Sequence, residues 1–376
     1  MSKPRRILFL TGTRADFGKL KPLMLRVKSD PRFELHVFIT GMHMLNKYGY
    51  TCEEVERLGL GNIYKYINQN SSEGMDCVLA KTIIGLSDYI HATQPDMILI
   101  HGDRVEALAG AIVGALNNVL TGHIEGGEVS GTIDELIRHA VSKMSHVHFV
   151  ANHEAKQRLI QLGERDDAVH VIGSPDIDIM NSVELPHIDE VFSHYNIAFQ
   201  KYGIVAFHPV TTEVGALRSQ TRTLLNALKN TDQNFVVIYP NNDCGSEIIL
   251  EEYRELSDNP RFRIFPSMRF EFFLTLLKNA NFIIGNSSAG VREAPHFGVA
   301  AVNLGTRQHN RVRSNLVVNA DFSETEIAVA IDNAMQRQRI PEIRFGDGGS
   351  AQQFSKIISG DKIWSLPKQK HFIDRF

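Results

Sequence analysis

The chain has 376 residues, 43% of them hydrophobic and 22% charged, with a net charge of −3. This is a globular composition long enough for two or three domains, and the near-neutral balance excludes the electrostatic footprint of a nucleic-acid or acidic-membrane binder. No apolar run approaches the roughly 18 residues of a membrane span, and three scattered cysteines, Cys52, Cys77 and Cys244, argue against a disulfide framework or a zinc site and fit a cytoplasmic protein.

The start, MSKPRRILFL, has too short an apolar stretch for a signal segment; residues 5–11 predict the first core strand. It runs into TGTRADFGKL (11–20), which is nearly a P-loop. One extra spacer residue, and Leu20 where a Mg²⁺-binding hydroxyl belongs, exclude that reading. What remains is a strand-to-helix turn at Gly12-Thr13 that carries Arg14, with Gly18-Lys19 opening a helix over 18–29. Further strands are predicted at 34–40, 97–101, 119–124, 146–151 and 169–173. Helical patterns lie between them at 74–93, 104–117, 133–143 and 153–162. The alternation then repeats with strand-like runs at 202–208, 234–240, 262–266, 282–286 and 299–305. Strands alternating with helices predict parallel sheets covered on both faces. Two prolines and a rise in polarity near 172–190 mark a boundary, so domains are expected at 1–175 and 176–350, with the tail 351–376 packing back on the first.

In such folds ligands bind beyond the carboxyl ends of strands, and the polar motifs cluster there. ILIHGDR ends a strand with His101, Asp103 and Arg104; a carboxylate at that position serves either as a helix cap or as a site residue. The next strand end delivers Glu125 into Gly126-Gly127. Ser130-Gly131-Thr132 then opens a helix with Asp134 in its first turn and Arg138 spaced to pair with it. Asp134 there offsets the helix dipole or serves a site. Crowded carboxylates raise one another's pKa, so Asp103, Glu125 and Asp134 together suit proton abstraction with acid assistance. His208 ends the first strand of the second half. FIIGNSSAG is the strongest phosphate signal: small residues, Ser287 and Ser288 among them, at the start of a helix whose free N–H groups favour an anion. Glu293, one turn on, is better placed for sugar hydroxyls, and Arg307 for a diphosphate. Neither a metal constellation nor a G-x-G-x-x-G dinucleotide fingerprint is present.

The ordered motifs TGTRADFGKLKPL, HGDRVEALAGA, HIEGGEVSGTIDELIRH, GSPDID, FHPVTTE, YPNND, GNSSAGVREAP and LGTRQ closely resemble the UDP-N-acetylglucosamine 2-epimerases over almost the whole chain. The hydrolysing branch of bacterial sialic-acid biosynthesis is the nearer match. Where non-hydrolysing relatives carry a Gln-His pair, this chain reads Met42-His43-Met44, and where they carry His-Arg-Arg-Glu-Asn it reads HPVTTE. The resemblance implies a GT-B fold of two Rossmann-like domains, a UDP-sugar in the cleft between them, no metal or other cofactor, and a homodimer. It also implies roles. Asp103, Glu125 and Asp134 match the catalytic carboxylates and His208 the catalytic-site histidine near the diphosphate. Arg14 and Lys19 match nucleotide-side contacts in the first domain. Ser287, Ser288, Glu293 and Arg307 match those in the second, with Asn241 and, more weakly, Arg104 as further contacts.

Overall fold

A computed structural model of the chain describes residues 3–70, 73–309, 311 and 314–374. Its contacts divide the chain into two units: Met1–Glu128, Asp134–Ser182 and Phe345–Phe376 form the first, and Val129–Ile133 with Val183–Arg344 form the second.

The first unit is built on a seven-stranded sheet: β1 (Arg5–Thr11), β2 (Phe33–Ile39), β3 (Asn62–Lys65), β4 (Met97–His101), β5 (Leu120–Ile124), β6 (Val147–Val150) and β7 (Val169–Val171). The order is β3-β2-β1-β4-β5-β6-β7, and every neighbouring pair is parallel. The order reverses direction between β1 and β4, where Phe9 lies opposite Leu99. Apolar runs such as Ile7–Leu10 and Met97–Ile100 are wholly or almost wholly buried, as strands covered on both faces must be. Strand β3, Asn-Ile-Tyr-Lys, lacks such a run: three of its four residues are exposed at the sheet edge. That is why its sequence does not announce a strand.

The chain returns to this unit at its end. Phe354 and Ile358 of the helix Ser350–Ile358 and Ile363 of Asp361–Trp364 join the core around Phe9, Leu20 and Phe149. The Asp178 carboxylate accepts from the N–H groups of Ser350 and Ala351 (2.9 and 2.8 Å), capping the returning helix. Ser174 N–H donates to the Phe345 carbonyl (2.7 Å). The contacts therefore keep Asp176–Ser182 and Phe345–Ser350 in the first unit, and the crossing points lie at Ser182 and Phe345.

The second unit has a six-stranded parallel sheet: β8 (Gly203–Ala206), β9 (Phe235–Ile238), β10 (Phe262–Phe265), β11 (Phe282–Gly285), β12 (Ala300–Leu304) and β13 (Val317–Ala320), ordered β10-β9-β8-β11-β12-β13. Two apolar clusters, one around Phe235 and Leu224 and another around Tyr202 and Leu276, cover its faces. Strand β13 is again a short edge element without a fully buried residue, and its sequence had not marked it as a strand. Gly285 ends β11 at φ +136°, and a Cβ there would overlap the Ala206 carbonyl oxygen of the neighbouring strand. Only glycine fits at this close approach.

Candidate active site

In the first unit the carboxyl ends of β1, β4 and β5 carry the polar residues. The helix after β1 begins at Arg14, one turn earlier than the sequence pattern indicates. Thr13 caps it, accepting from Asp16 N–H (3.1 Å), while the Asp16 carboxylate accepts from the N–H groups of Gly12 and Thr13 (3.0 and 3.1 Å). Thr-x-x-Asp is a reciprocal cap, so the start was written in the sequence. Gly18-Lys19 therefore lies within the helix rather than at its mouth.

Lys19 is buried, and its ammonium lies 3.2 Å from Glu125 Oε1 and 3.4 Å from Asp176 Oδ2. Glu125, directly after β5, is at φ +64°. A left-handed conformation costs a residue with a Cβ about 1–2 kcal/mol, so it persists where the surroundings over-determine it. They do so here. Glu125 N–H donates to the Phe149 carbonyl (3.0 Å) and its own carbonyl accepts from Arg138 Nη1 (2.7 Å). Ser174 Oγ donates to Oε1 (2.8 Å), and His101 Nε2 stands 3.2 Å from Oε2.

Arg138 ties this residue to Asp103. The guanidinium side chain is 1% exposed, and its Nη2 pairs with Asp103 Oδ2. Asp103 keeps 20% of its side chain in solvent, on the turn that Gly102 (φ +74°) makes after β4. Beyond the i,i+4 spacing that suits a pair with Asp134, the Arg138 Nη groups reach Asp103 and the Glu125 carbonyl. Asp134 lies one turn earlier on the same helix, Ile133–Met144, and is half-buried. One buried guanidinium thus joins Asp103 to Glu125, and Asp134 shares its helix. Arg104 is the N-cap residue of the helix Val105–Leu116. Arg14 pairs with Glu54, Nε donating to Oε2 at 2.8 Å.

Two histidines beside these groups are held neutral. Burial pushes His43 down to about 3, aided by the Arg14 charge; its ring sits between Thr11 Oγ1 (3.1 Å) and Thr51 Oγ1 (2.6 Å). Burial likewise brings His123 to about 3. Its Nε2 donates to the Gly102 carbonyl (2.8 Å) and its Nδ1 accepts from Ser142 Oγ (3.0 Å), bracing the Asp103 turn. Asp16 is pushed the other way, up, by burial that outweighs the hydrogen bonds from Thr11 and Gly12. For the two histidines the folded value lies below the ordinary one near 6.5. Their contribution to stability is complete above pH 6.5 and is lost as pH falls toward 3, because only the unfolded chain takes up the protons. Each steepens the loss by up to about 1.4 kcal/mol per pH unit. Urea unfolding is expected to show a lower midpoint at pH 5 than at pH 7.5, with a smaller difference in His43→Gln. An identical pH dependence in the two proteins would remove His43 from this account.

In the second unit the loops after β8, β9, β11 and β12 are fastened to one another. Asn286, directly after β11, clasps His208: its Oδ1 accepts from His208 N–H (2.7 Å) and its Nδ2 donates to the His208 carbonyl (2.8 Å). The Asn286 carbonyl in turn accepts from Arg307 Nη1 (3.3 Å) and Gln308 Nε2 (2.8 Å). His208 Nδ1 accepts from Asn241 N–H (3.0 Å), so the proton of the neutral ring is on Nε2. Asn241 Nδ2 donates to Asp243 Oδ2 (2.5 Å). The clasp joins residues 78 apart in the chain, so no local sequence pattern marks Asn286 for it.

The segment after Asn286 corrects an expectation. Ser288–Gly290 is a single 3₁₀ turn capped by Ser287 Oγ, which accepts from Ala289 N–H (3.3 Å), and the next helix, Glu293–His296, has only four residues. No long helix dipole stands here; the segment offers the N–H groups of a tight turn. Glu293 is buried at the start of the short helix. Gly131 N–H donates to the Arg307 carbonyl (3.1 Å), which fastens the Val129–Ile133 segment to the loop after β12. Among the described residues no group of three or more His, Cys, Asp or Glu side chains is placed to hold a metal ion, and no helix is long and apolar enough to cross a membrane.

Comparison with known proteins adds to this geometry. A family model described as UDP-N-acetylglucosamine 2-epimerase matches residues 25–359. A Neisseria meningitidis serogroup B protein named UDP-N-acetylglucosamine 2-epimerase is 46% identical over 98% of this chain and 99% of its own length. The Escherichia coli polysialic acid biosynthesis protein P7 is 33% identical over 90% of this chain and 88% of its own. A Legionella pneumophila protein named UDP-N,N'-diacetylbacillosamine 2-epimerase (hydrolyzing) is 32% identical, covering 94% and 95%. Among solved structures, the Methanocaldococcus jannaschii UDP-GlcNAc 2-epimerase in complex with UDP-GlcNAc and UDP superposes with a TM-score of 0.78, covering 94% of this chain and 99% of that one at 20% identity. That likeness shows the fold, two parallel-sheet Rossmann-like domains of GT-B type.

Proposed function

The chain belongs to the UDP-N-acetylglucosamine 2-epimerase family, and on that footing we propose that it converts UDP-N-acetylglucosamine and water into N-acetylmannosamine and UDP, a hydrolysing epimerisation that feeds sialic-acid synthesis. The observation that carries this reading is the joining of Asp103 to Glu125 through the buried Arg138. Relatives named for a hydrolyzing 2-epimerase and for polysialic acid biosynthesis support its finer points.

The C2 proton of the substrate is not acidic until the C1–O bond to UDP breaks and oxocarbenium charge grows at C1. The departing UDP must therefore be stabilised first. We assign this to Arg14, His208, Arg307 and the Ser287-Ser288 turn, with Asn241 and Glu293 as further contacts. A carboxylate then takes the C2 proton, leaving a glycal. Water adds at C1 while a proton returns to C2 on the opposite face. A single group cannot serve both faces, so two are needed. Asp103 and Asp134, partly exposed, are assigned these transfers. Glu125, buried and held at Oε1 by Lys19 and Ser174, relays protons or positions water.

A second reading, favoured by the 32% identity to the Legionella protein, is the same reaction on UDP-2,4-diacetamido-2,4,6-trideoxyglucose. Incubation with each UDP-sugar, followed by NMR of the products, separates the readings. Free N-acetylmannosamine plus UDP from UDP-N-acetylglucosamine is expected. Release of UDP-N-acetylmannosamine would overturn the hydrolysing assignment, and turnover of the diacetamido sugar alone would move the proposal to the second reading.

A further inference from the structure

The chain end from Lys368 to Ile373 grips the helix Ile133–Met144, which carries Asp134 and Arg138. The Lys370 ammonium donates to the carbonyls of Lys143 (2.8 Å) and Ser145 (2.5 Å) and to Glu164 Oε2 (2.6 Å), with the Ser142 carbonyl at 3.4 Å. The last carbonyls of a helix have no intrahelical donor, and a cation there also meets the negative end of the helix dipole. Glu164 is itself anchored. Its side chain is 3% exposed, and Lys143 Nζ and His148 Nε2 lie 3.1 and 3.0 Å from its two oxygens. The chain end is also held on both sides of Lys370. The Lys368 carbonyl accepts from His146 Nε2 (2.9 Å), whose Nδ1 accepts from Thr121 N–H (3.0 Å). Ile373 N–H donates to the Gly163 carbonyl (3.0 Å), and the Lys143 ammonium stands 4.7 Å from the centre of the Phe372 ring.

The gripped helix presents Asp134, Arg138 and Ser142 four residues apart, on one face. Arg138 holds Asp103 and the Glu125 carbonyl, and Ser142 donates to His123, which braces the Asp103 turn. A slide or rotation of this helix therefore moves Asp134 against Asp103. From Asp134 to the gripped end is about 14 Å along the helix axis, so Lys370 acts on the site only through the helix.

We propose that Lys370 is a positioning residue: by fastening the C-terminal end of this helix to Glu164, it sets the placement of Asp134 relative to Asp103 that the two proton transfers need. The inference rests on the assignment of those transfers to Asp103 and Asp134. Elimination uses one of the two groups and hydration the other. A helix out of place therefore slows both halves, and the glycal formed with UDP escapes before water adds. Loss of stability alone does not leave that mark.

The test compares Lys370→Met with Lys370→Arg, Asp134→Asn and the unaltered enzyme, each well below its unfolding midpoint. It reads kcat and KM for UDP-N-acetylglucosamine, and the products by NMR. Lys370→Met is expected to keep KM within about twofold, to lower kcat on the order of tenfold, and to release glycal beside N-acetylmannosamine. Lys370→Arg, which keeps a cation with several donors at the carbonyls, is expected to recover most of the rate. A lower unfolding midpoint with kcat and products unchanged, or an effect on KM alone, would overturn the proposal. If Asp134→Asn turns over normally and releases no glycal, the reading of Asp134 fails and takes the proposal with it. If Asp134→Asn is impaired while Lys370→Met matches the parent, only the present inference fails. Should Lys370→Met not fold, Lys370→Gln, which keeps a donor beside the carbonyls, takes its place. The same changes are expected of it, and a parent-like kcat and product would refute the positioning role.

Discussion

Arg138→Met is expected to lower kcat for UDP-N-acetylglucosamine by at least 10²-fold and to cost about 3–5 kcal/mol of stability. The guanidinium is 1% exposed and serves two groups, the Asp103 carboxylate and the Glu125 carbonyl. Removing it takes this counter-charge from the Asp103 carboxylate and this donor from the Glu125 carbonyl, and sets a buried apolar side chain in their place. The second loss falls on a residue held at φ +64°, whose conformation depends on its surroundings. The two carboxylates then lose their common reference, and a displacement of an ångström at such groups is enough to cost two orders of magnitude in rate. Arg138→Lys is expected to rescue only part of the loss, since an ammonium cannot reproduce the planar fork that spans both partners. UDP release and urea unfolding measure the two effects. A folded Arg138→Met enzyme with nearly normal kcat would remove the guanidinium from the account.

Lys19→Met is the second large effect, and it separates two roles for this lysine. A contact to the nucleotide predicts a higher KM with stability little changed. The structure instead sets the ammonium between Glu125 and Asp176, whose side chains are 5% and 2% exposed. Without it, two buried carboxylates face one another and one must take a proton or the site must open. The expected result is a loss of about 3–5 kcal/mol together with a kcat reduced at least 10²-fold. Adding Asp176→Asn to Lys19→Met removes one of the stranded charges and is expected to restore a good part of the stability, a strongly non-additive pair. Additive effects of the two substitutions, or a change confined to KM, would contradict the internal ion triad.

Much of this was legible in the sequence because parallel strands write themselves as apolar runs and their carboxyl ends collect the polar motifs. Asp103, Glu125 and His208 stand directly after such runs, so their placement at strand ends followed from pattern alone. Partners were less visible. Local spacing marks Asp134 as a neighbour of Arg138 at i,i+4, but the distant Asp103 is a partner that only the fold supplies. Asp176 and Glu125 meet at Lys19, and Glu54 meets Arg14, through chain crossings that no short window contains. The Asn286 clasp on His208 joins two loops by a single side chain, which periodicity does not register. Edge strands β3 and β13 escaped because they are short and exposed. At Ser287-Ser288 the small residues read as the start of a phosphate-binding helix, and their composition does not distinguish a 3₁₀ turn from the start of a long helix.

The central claim is that the carboxylates of the first unit exchange the C2 proton of the sugar with solvent while UDP departs. It is tested most directly by running the reaction on UDP-N-acetylglucosamine in D₂O and reading the product by NMR. The account predicts free N-acetylmannosamine carrying one deuterium at C2, together with UDP. Product with hydrogen retained at C2, or a product still linked to UDP, would contradict it.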